Sequence, residues 1–223
     1  MHKPKSIEEL VRSQLHRSQI TVEPGEVVKP CTGPVVTISR SMGSGARIIA
    51  QKLAEDIGWA VWDKELLDQV AENAHIRQEI VESFDEKRRS ELELLVEAVL
   101  GNPVPDGFLY NKHLARVILE IACTGNSIFI GRGANFLLPK ALNIRIDAPF
   151  AIRVSNMMEF ESLSHEEAEA KIKASDKERK RFLVSTYGKD RVANFNYDIS
   201  LWMEKLTNED AVNVIKALLA GCK

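Results

Sequence analysis

The chain has 223 residues, 44% of them hydrophobic and 28% charged, with 30 Lys+Arg against 32 Asp+Glu for a formal net charge of −2. That composition lies in the globular range and is wrong for a disordered chain. The near balance of charge excludes a dedicated nucleic-acid coat and a polybasic membrane binder, so no nucleic-acid or membrane partner is expected.

At roughly 100–200 residues per domain, this length predicts one compact domain with appended pieces. No apolar run approaches the roughly 18 residues of a membrane-spanning helix. The charged start MHKPKSIEELVRSQLHR has no apolar signal core, so a cytoplasmic location is expected. Cys31, Cys123 and Cys222 are widely spaced and form no C-x-x-C pair. A reducing compartment follows, with Cys123 as a small buried hydrophobe. Nothing in the pattern sets an oligomeric state.

In chain order, Ile7, Leu10, Val11 and Leu15 fall at helical spacing within an N-terminal extension, residues 1–33. Pro24, Gly25, Pro30, Gly33 and Pro34 punctuate a linker. The main domain, 34–223, then alternates strand and helix. Val35–Ser39 is rich in β-branched residues and reads as a buried strand. Gly43–Gly45 make a loop, and Ile49, Leu53 and Ile57 mark a helix that stops at Gly58. Trp59–Trp62 is a second strand. Asp63 caps a helix carrying Leu66, Leu67, Val70, Ala71 and Ala74.

A charged helical stretch runs from Arg77 to Leu100 and holds the cluster Asp85-Glu86-Lys87. A Pro- and Gly-rich loop, Gly101–Gly107, follows it. Leu114, Val117, Ile118 and Ile121 mark the next helix. Ser127–Ile130 leads into Gly131-Arg132-Gly133, and Asn143–Asp147 is a fourth strand with a helix from about Pro149. Ser164 with Glu167 makes a capping box for a helix through Ile172. Residues 171–191 hold eight basic residues against three acidic ones. Tyr197–Ser200 is a fifth strand, and Thr207 with Asp210 opens the last helix. This alternation predicts an α/β fold with a five-stranded parallel sheet covered on both faces.

The loop after the first strand carries the chemistry. Glycines between a strand and a helix let backbone N–H groups converge on an anion at the helix N-terminus. The phosphate-loop pattern G-x-x-x-x-G-K-[ST] is not met. Aligned on Gly45, Arg40 stands at the first glycine, Ala46 at the lysine and Arg47 at the Ser/Thr. The bare glycine loop fits a phosphate site or an ordinary capping turn.

Five segments in order resemble the cytidylate kinase-like family, a branch of the P-loop kinases. They are TISRSMGSGARIIAQKLA, WAVWDKELLDQVA, FIGRGANFLL, IRIDAPFAIR, and KASDKERKRFLVSTYGKD leading to NYDISLW. The resemblance implies a three-layer kinase core, a helical acceptor-binding subdomain at about 64–125 and a mobile lid at about 171–191. It also implies an ATP- and Mg²⁺-dependent phosphotransferase acting on small nucleotides, with CMP or dCMP as acceptor. The donor phosphates would rest on Ser41, Met42, Gly43, Ser44, Gly45, Ala46 and Arg47. Arg132 matches an arginine that holds the acceptor phosphate, and Asp63 sits where kinases place a residue near the acceptor. Arg153, Asp176 and Arg179 are candidate catalytic residues.

Each has an ordinary reading as well. Arg132 fits a solvated loop arginine, Arg153 an exposed i,i+4 partner, Asp63 a helix cap, and the 171–191 arginines a solvated helix face. The lid also lacks the R-D-x-R-D arrangement of ordinary cytidylate kinases. With Ala46 in place of the lysine, Arg47 is the first candidate for the missing cation and Arg40 the second. The Mg²⁺ ligand is not evident, since Arg47 stands at the usual Ser/Thr; Ser39, Ser44 and Asp63 are possible substitutes. Two rival readings are a kinase for another small acceptor, such as shikimate, and a non-catalytic nucleotide-binding module.

Overall fold

The computed structural model describes residues 6–17, 33–73, 76–78, 86–100 and 108–221. The linker around Pro24 and Pro30, the loop Gly101–Gly107, Ala74, Asp85, Cys31 and Cys222 lie outside them. In chain order the elements are α1 (Ile7–Arg17), β1 (Val35–Arg40), α2 (Ala46–Ile57), β2 (Ala60–Trp62), α3 (Lys64–Glu72), α4 (Glu86–Leu100) and α5 (Phe108–Cys123). They continue with β3 (Ser127–Ile130), α6 (Ala134–Leu137), β4 (Leu142–Asp147), α7 (Phe150–Glu161), α8 (His165–Tyr187), α9 (Lys189–Ala193), β5 (Ile199–Trp202) and α10 (Asn208–Gly221).

As the alternation predicts, the five strands form one parallel sheet; their order is β2-β3-β1-β4-β5. β1 is central, with Thr37 beside Phe129 on one side and Asn143 on the other. Its apolar run is unbroken because helices cover both faces. On one face Val36, Ile38, Ile128 and Ile144 pack with Ile49 and Leu53 of α2 and Ile215 of α10. On the other, Trp62 and Phe129 pack with Leu67, Val70, Leu114 and Ile118 of α3 and α5. Trp62 and Phe129 are fully buried, and truncating either to Ala would cost about 3–5 kcal/mol. The polar pair in this core is satisfied: Thr37 Oγ1 donates to Asn143 Oδ1 at 2.6 Å, and Asn143 Nδ2 donates to the carbonyls of Leu138 and Ala141.

Four local features depart from the sequence-based expectations. First, α1 is docked: Val11 is fully buried, and Gln14 Oε1 accepts the Val61 N–H at 2.9 Å. That bond occupies a donor on the edge strand β2, which would otherwise be open to pairing. Second, the capping box at Ser164 and Glu167 is present, but the helix runs 23 residues to Tyr187 instead of ending near Ile172. The buried Ala168 and Ile172, the half-buried Phe182 and Leu183, and the buried Thr186 and Tyr187 carry its packing through the charged stretch. Third, the last strand begins at Ile199, because Asp198 is used as a brace: its Oδ2 accepts the Asn143 N–H at 2.7 Å. Fourth, Cys123 is disulfide-bonded and not a free buried thiol, its partner lying outside the described residues.

Candidate active site

Beyond the carboxyl end of β1, Gly43 (φ 79°) and Gly45 (φ 81°) are both left-handed. A Cβ on Gly43 would stand 2.5 Å from the Arg153 carbonyl oxygen, so glycine is required there by conformation and by space. Three bonds fix the loop. Asn156 Nδ2 donates to the Gly43 carbonyl at 2.7 Å, Ser44 Oγ to the Ser41 carbonyl at 2.9 Å, and Arg145 Nη2 to Ser41 Oγ at 2.8 Å. No side chain caps the N-terminus of α2. Its first-turn N–H groups therefore keep the partial positive charge that favours an anion. Ala46 is 3% exposed and belongs to the core under α2, so a lysine could not stand there without leaving the core packing.

Arginines surround this loop, and the structure separates their states. Arg153 is nearly buried and its Nη2 lies 2.5 Å from Asp176 Oδ2, so it is not an exposed i,i+4 partner. Asp176 also accepts the Met42 N–H through Oδ1 at 3.3 Å. A carboxylate from α8 thus occupies a loop N–H of the kind that would bind a phosphate oxygen. Three residues on, Arg179 Nη1 donates to the Arg40 carbonyl at 3.3 Å. Burial holds the Arg179 guanidinium below its ordinary pKa.

Arg47 is largely exposed and is committed to carboxylates, 2.5 Å from Asp63 and 2.7 Å from Glu65. The hydrogen bond to Asp63 leads the effects that raise its pKa. Asp63 also caps α3, accepting the Leu66 N–H at 3.1 Å. Arg40 differs. It is half-buried, and its guanidinium has no hydrogen-bond or ion-pair partner among the described residues. Burial, with Arg179 nearby, lowers its pKa to about 10.

The second loop is Gly131-Arg132-Gly133, three consecutive left-handed residues with φ of 79°, 52° and 69°. The conformation costs a non-glycine residue roughly 1–2 kcal/mol, so Arg132 must be held. Tyr187 Oη donates to its carbonyl at 3.0 Å. Asp68 takes its guanidinium in a two-point pair, with Nε at 2.7 Å. The guanidinium also lies 4.8 Å from the Phe182 ring centre and 5.9 Å from that of Tyr110. Tyr110 Oη donates to Asp68 at 2.6 Å, and burial followed by that bond raises its hydroxyl pKa.

Two cavities open on these loops. One, of about 570 Å³, is lined by residues 40–48 with Asp63, Glu65 and Lys171. The other, of about 560 Å³, is lined by Arg132, Arg145, Asp176, Arg179, Lys180 and Phe182 among others. They share Arg40, Ser41, Met42, Glu65 and Arg179. Six cationic side chains line the second cavity against three acidic ones. All the residues named as candidates from the sequence gather here; Arg153 lines neither cavity and acts on Asp176. Sequence reasoning missed Glu65, Asp68, Tyr110, Arg145, Asn156 and Tyr187. Of these only Arg145 left a signal, as a cation inside the strand Leu142–Asp147 of a sheet covered on both faces.

A model of the cytidylate kinase-like family matches residues 35–205. The chain is 27% identical over 186 residues to a cytidylate kinase of Pyrococcus horikoshii, covering 83% of this chain and 88% of that one. It is 25% identical over 187 residues to a cytidylate kinase of Pyrococcus furiosus, with the same shares covered. In fold it is similar to the crystal structure of an uncharacterized protein from Eubacterium ventriosum, at a TM-score of 0.64 and 24% identity over 85% of this chain and 99% of that one. The matched span runs from the first residue of β1 past the end of β5, so it takes in the sheet, both glycine loops and α8. The chain belongs to the cytidylate kinase-like family and is a phosphotransferase of the kinase type.

Proposed function

We propose that the chain transfers the γ-phosphoryl group of ATP to a nucleoside monophosphate, CMP or dCMP. The observation that carries this reading is the pair of cavities meeting at Arg40–Met42, one built on a glycine loop and the other on an excess of cationic side chains. Donor phosphates rest on the loop N–H groups from Met42 to Arg47. The acceptor phosphate lies toward Arg132, whose guanidinium is already oriented by Asp68. The Met42 N–H is freed for phosphate when Asp176 withdraws.

The protein's work is alignment, charge dispersal and exclusion of water. Fixing both nucleotides on two loops of one sheet supplies the alignment. The arginines Arg145, Arg153 and Arg179 keep the field positive where charge gathers. Segment 171–191, the proposed lid, brings Asp176 and Arg179 from α8 into the site. Mg²⁺ fits the donor set. Glu65 on the loop cavity would hold it while Asp63 stays with Arg47, since this ion needs only one or two carboxylates beside the phosphates. Its chemistry, when bound, is to neutralise donor oxygens. Ser44 and Ser41 are taken up in holding the loop.

The test is ADP release by the purified protein with ATP and Mg²⁺, comparing CMP, dCMP, UMP and AMP with no acceptor. CMP or dCMP is expected to raise the rate above that with ATP alone. Equal rates in every case would overturn the reading.

A further inference from the structure

We infer that Arg40 supplies the side-chain cation that the loop lacks at Ala46, acting from the junction of the two cavities on the phosphoryl group in transfer. This rests on the kinase reading and goes beyond it by naming the group that meets the moving charge.

The other arginines near the junction are committed. Arg47 is held by Asp63 and Glu65, Arg153 by Asp176, Arg132 by Asp68, and Arg145 by Asp147 and Ser41. Arg179 is spent on the Arg40 carbonyl. Arg40 alone of these has a guanidinium without a partner among the described residues, and it lines both cavities. The carboxylates of Glu65 and Asp63 attract this charge but return less than its burial and the neighbouring Arg179 cost, so it is unfavourable in the free protein. The position becomes favourable when an anion arrives, and the neighbouring Arg179 makes a multiply charged anion the best fit. The guanidinium is also placed from the far side. It lies against Gly131, in space that any side chain there would fill. It therefore spans from the donor loop to the acceptor loop.

In the reaction an oxygen of the acceptor phosphate forms a bond to the γ-phosphorus. The bond from that phosphorus to the β–γ bridging oxygen breaks, and ADP leaves with the electron pair. Arg40 exchanges no proton. It donates hydrogen bonds to oxygens whose charge grows as the bond breaks, in the fixed fork that suits phosphate.

The experiment compares the parent with Arg40→Met, Arg40→Gln and Arg40→Lys, and with the exposed Lys52→Met as control. Pyrophosphate and ATP binding are measured by calorimetry, unfolding by thermal melts, and turnover with CMP. In Arg40→Met and Arg40→Gln, pyrophosphate affinity is expected to fall at least tenfold. Their melting midpoint without anion is expected to rise by about 2–4 °C, roughly what 1 kcal/mol is worth in a chain of this size. Arg40→Lys should keep part of the affinity, and Lys52→Met all of it. A merely structural arginine would instead lower the midpoint and leave pyrophosphate binding alone; that result in both neutral variants overturns the inference. So does pyrophosphate affinity within threefold of the parent. A parent that binds neither ATP nor pyrophosphate overturns the inference and the kinase reading together. A parent that binds pyrophosphate through Arg40 but releases no ADP with CMP supports the inference and overturns only the acceptor.

Discussion

The guanidinium of Arg40 occupies the space in which a side chain on Gly131 would stand. Two residues 91 positions apart in sequence thereby tie the end of β1 to the loop after β3. Gly131→Ala should disturb both. The residue is left-handed (φ 79°), so alanine costs about 1–2 kcal/mol of stability, and its methyl group displaces Arg40. A fall in kcat of at least tenfold is expected, larger than the loss in melting temperature explains. Steady-state kinetics on the folded variant check it.

Arg132 offers a second test, because its orientation is imposed from outside the loop. Asp68→Asn removes the two-point carboxylate partner and leaves the backbone hydrogen bond from Tyr187 intact. KM for CMP should rise at least tenfold, since one charge-assisted contact is worth about 1.5–3 kcal/mol, while KM for ATP changes less than twofold. Tyr187→Phe removes the other support and should act in the same direction. Equal effects on both substrates would mean that Asp68 serves the fold and not the acceptor side.

Arg153 and Asp176 join α7 to α8 at 2.5 Å, with Arg153 nearly buried. Asp176→Ala leaves that guanidinium without its partner and should cost about 1–3 kcal/mol. Adding Arg153→Met should recover part of the loss. A double-mutant cycle is expected to give a coupling of about 1 kcal/mol or more. Additive losses would mean the pair is not coupled. If α8 is the lid, hydrogen exchange across 171–191 should slow when a bisubstrate analogue binds.

The Arg40 guanidinium also sets a pH dependence. Its pKa in the folded chain, about 10, is below that of a free guanidinium. The unfolded chain therefore holds this proton more tightly. The group's destabilising contribution is fully present below about pH 10 and fades as pH rises above it toward the range of a free guanidinium. Anion binding runs the opposite way and weakens as pH rises through 10. An alkaline fall in pyrophosphate affinity near pH 10, present in the parent and absent in Arg40→Met, is the expected outcome of a titration by calorimetry.

The sheet and the glycine loop were legible because local signals carry them. β-branched runs ended by glycines mark Val35–Ser39 and Ser127–Ile130, and Gly43 and Gly45 stand where a left-handed turn must form. The state of the arginines was not legible. Arg47 precedes its carboxylate partners by only 16 and 18 residues, yet nothing in the spacing says that Asp63 and Glu65 turn back toward it. Asp68 and Arg132 are 64 residues apart and meet only because α3 packs beside β3. The charged stretch 173–181 does not read as a continuation of the helix from Ser164 because its inward face is polar. That face meets the glycine loop and the end of β1 and not a core, so the apolar spacing that identifies a helix is interrupted there while the helix continues.

The most direct measurement of the kinase reading is a single incubation of the purified chain with ATP, Mg²⁺ and equal amounts of CMP, dCMP, UMP and AMP, with the nucleoside diphosphates formed identified by mass. CDP or dCDP accumulating ahead of UDP, and at the expense of ATP, is the expected result. ATP and all four monophosphates recovered unchanged, or diphosphates formed in equal amounts from every acceptor, would contradict it.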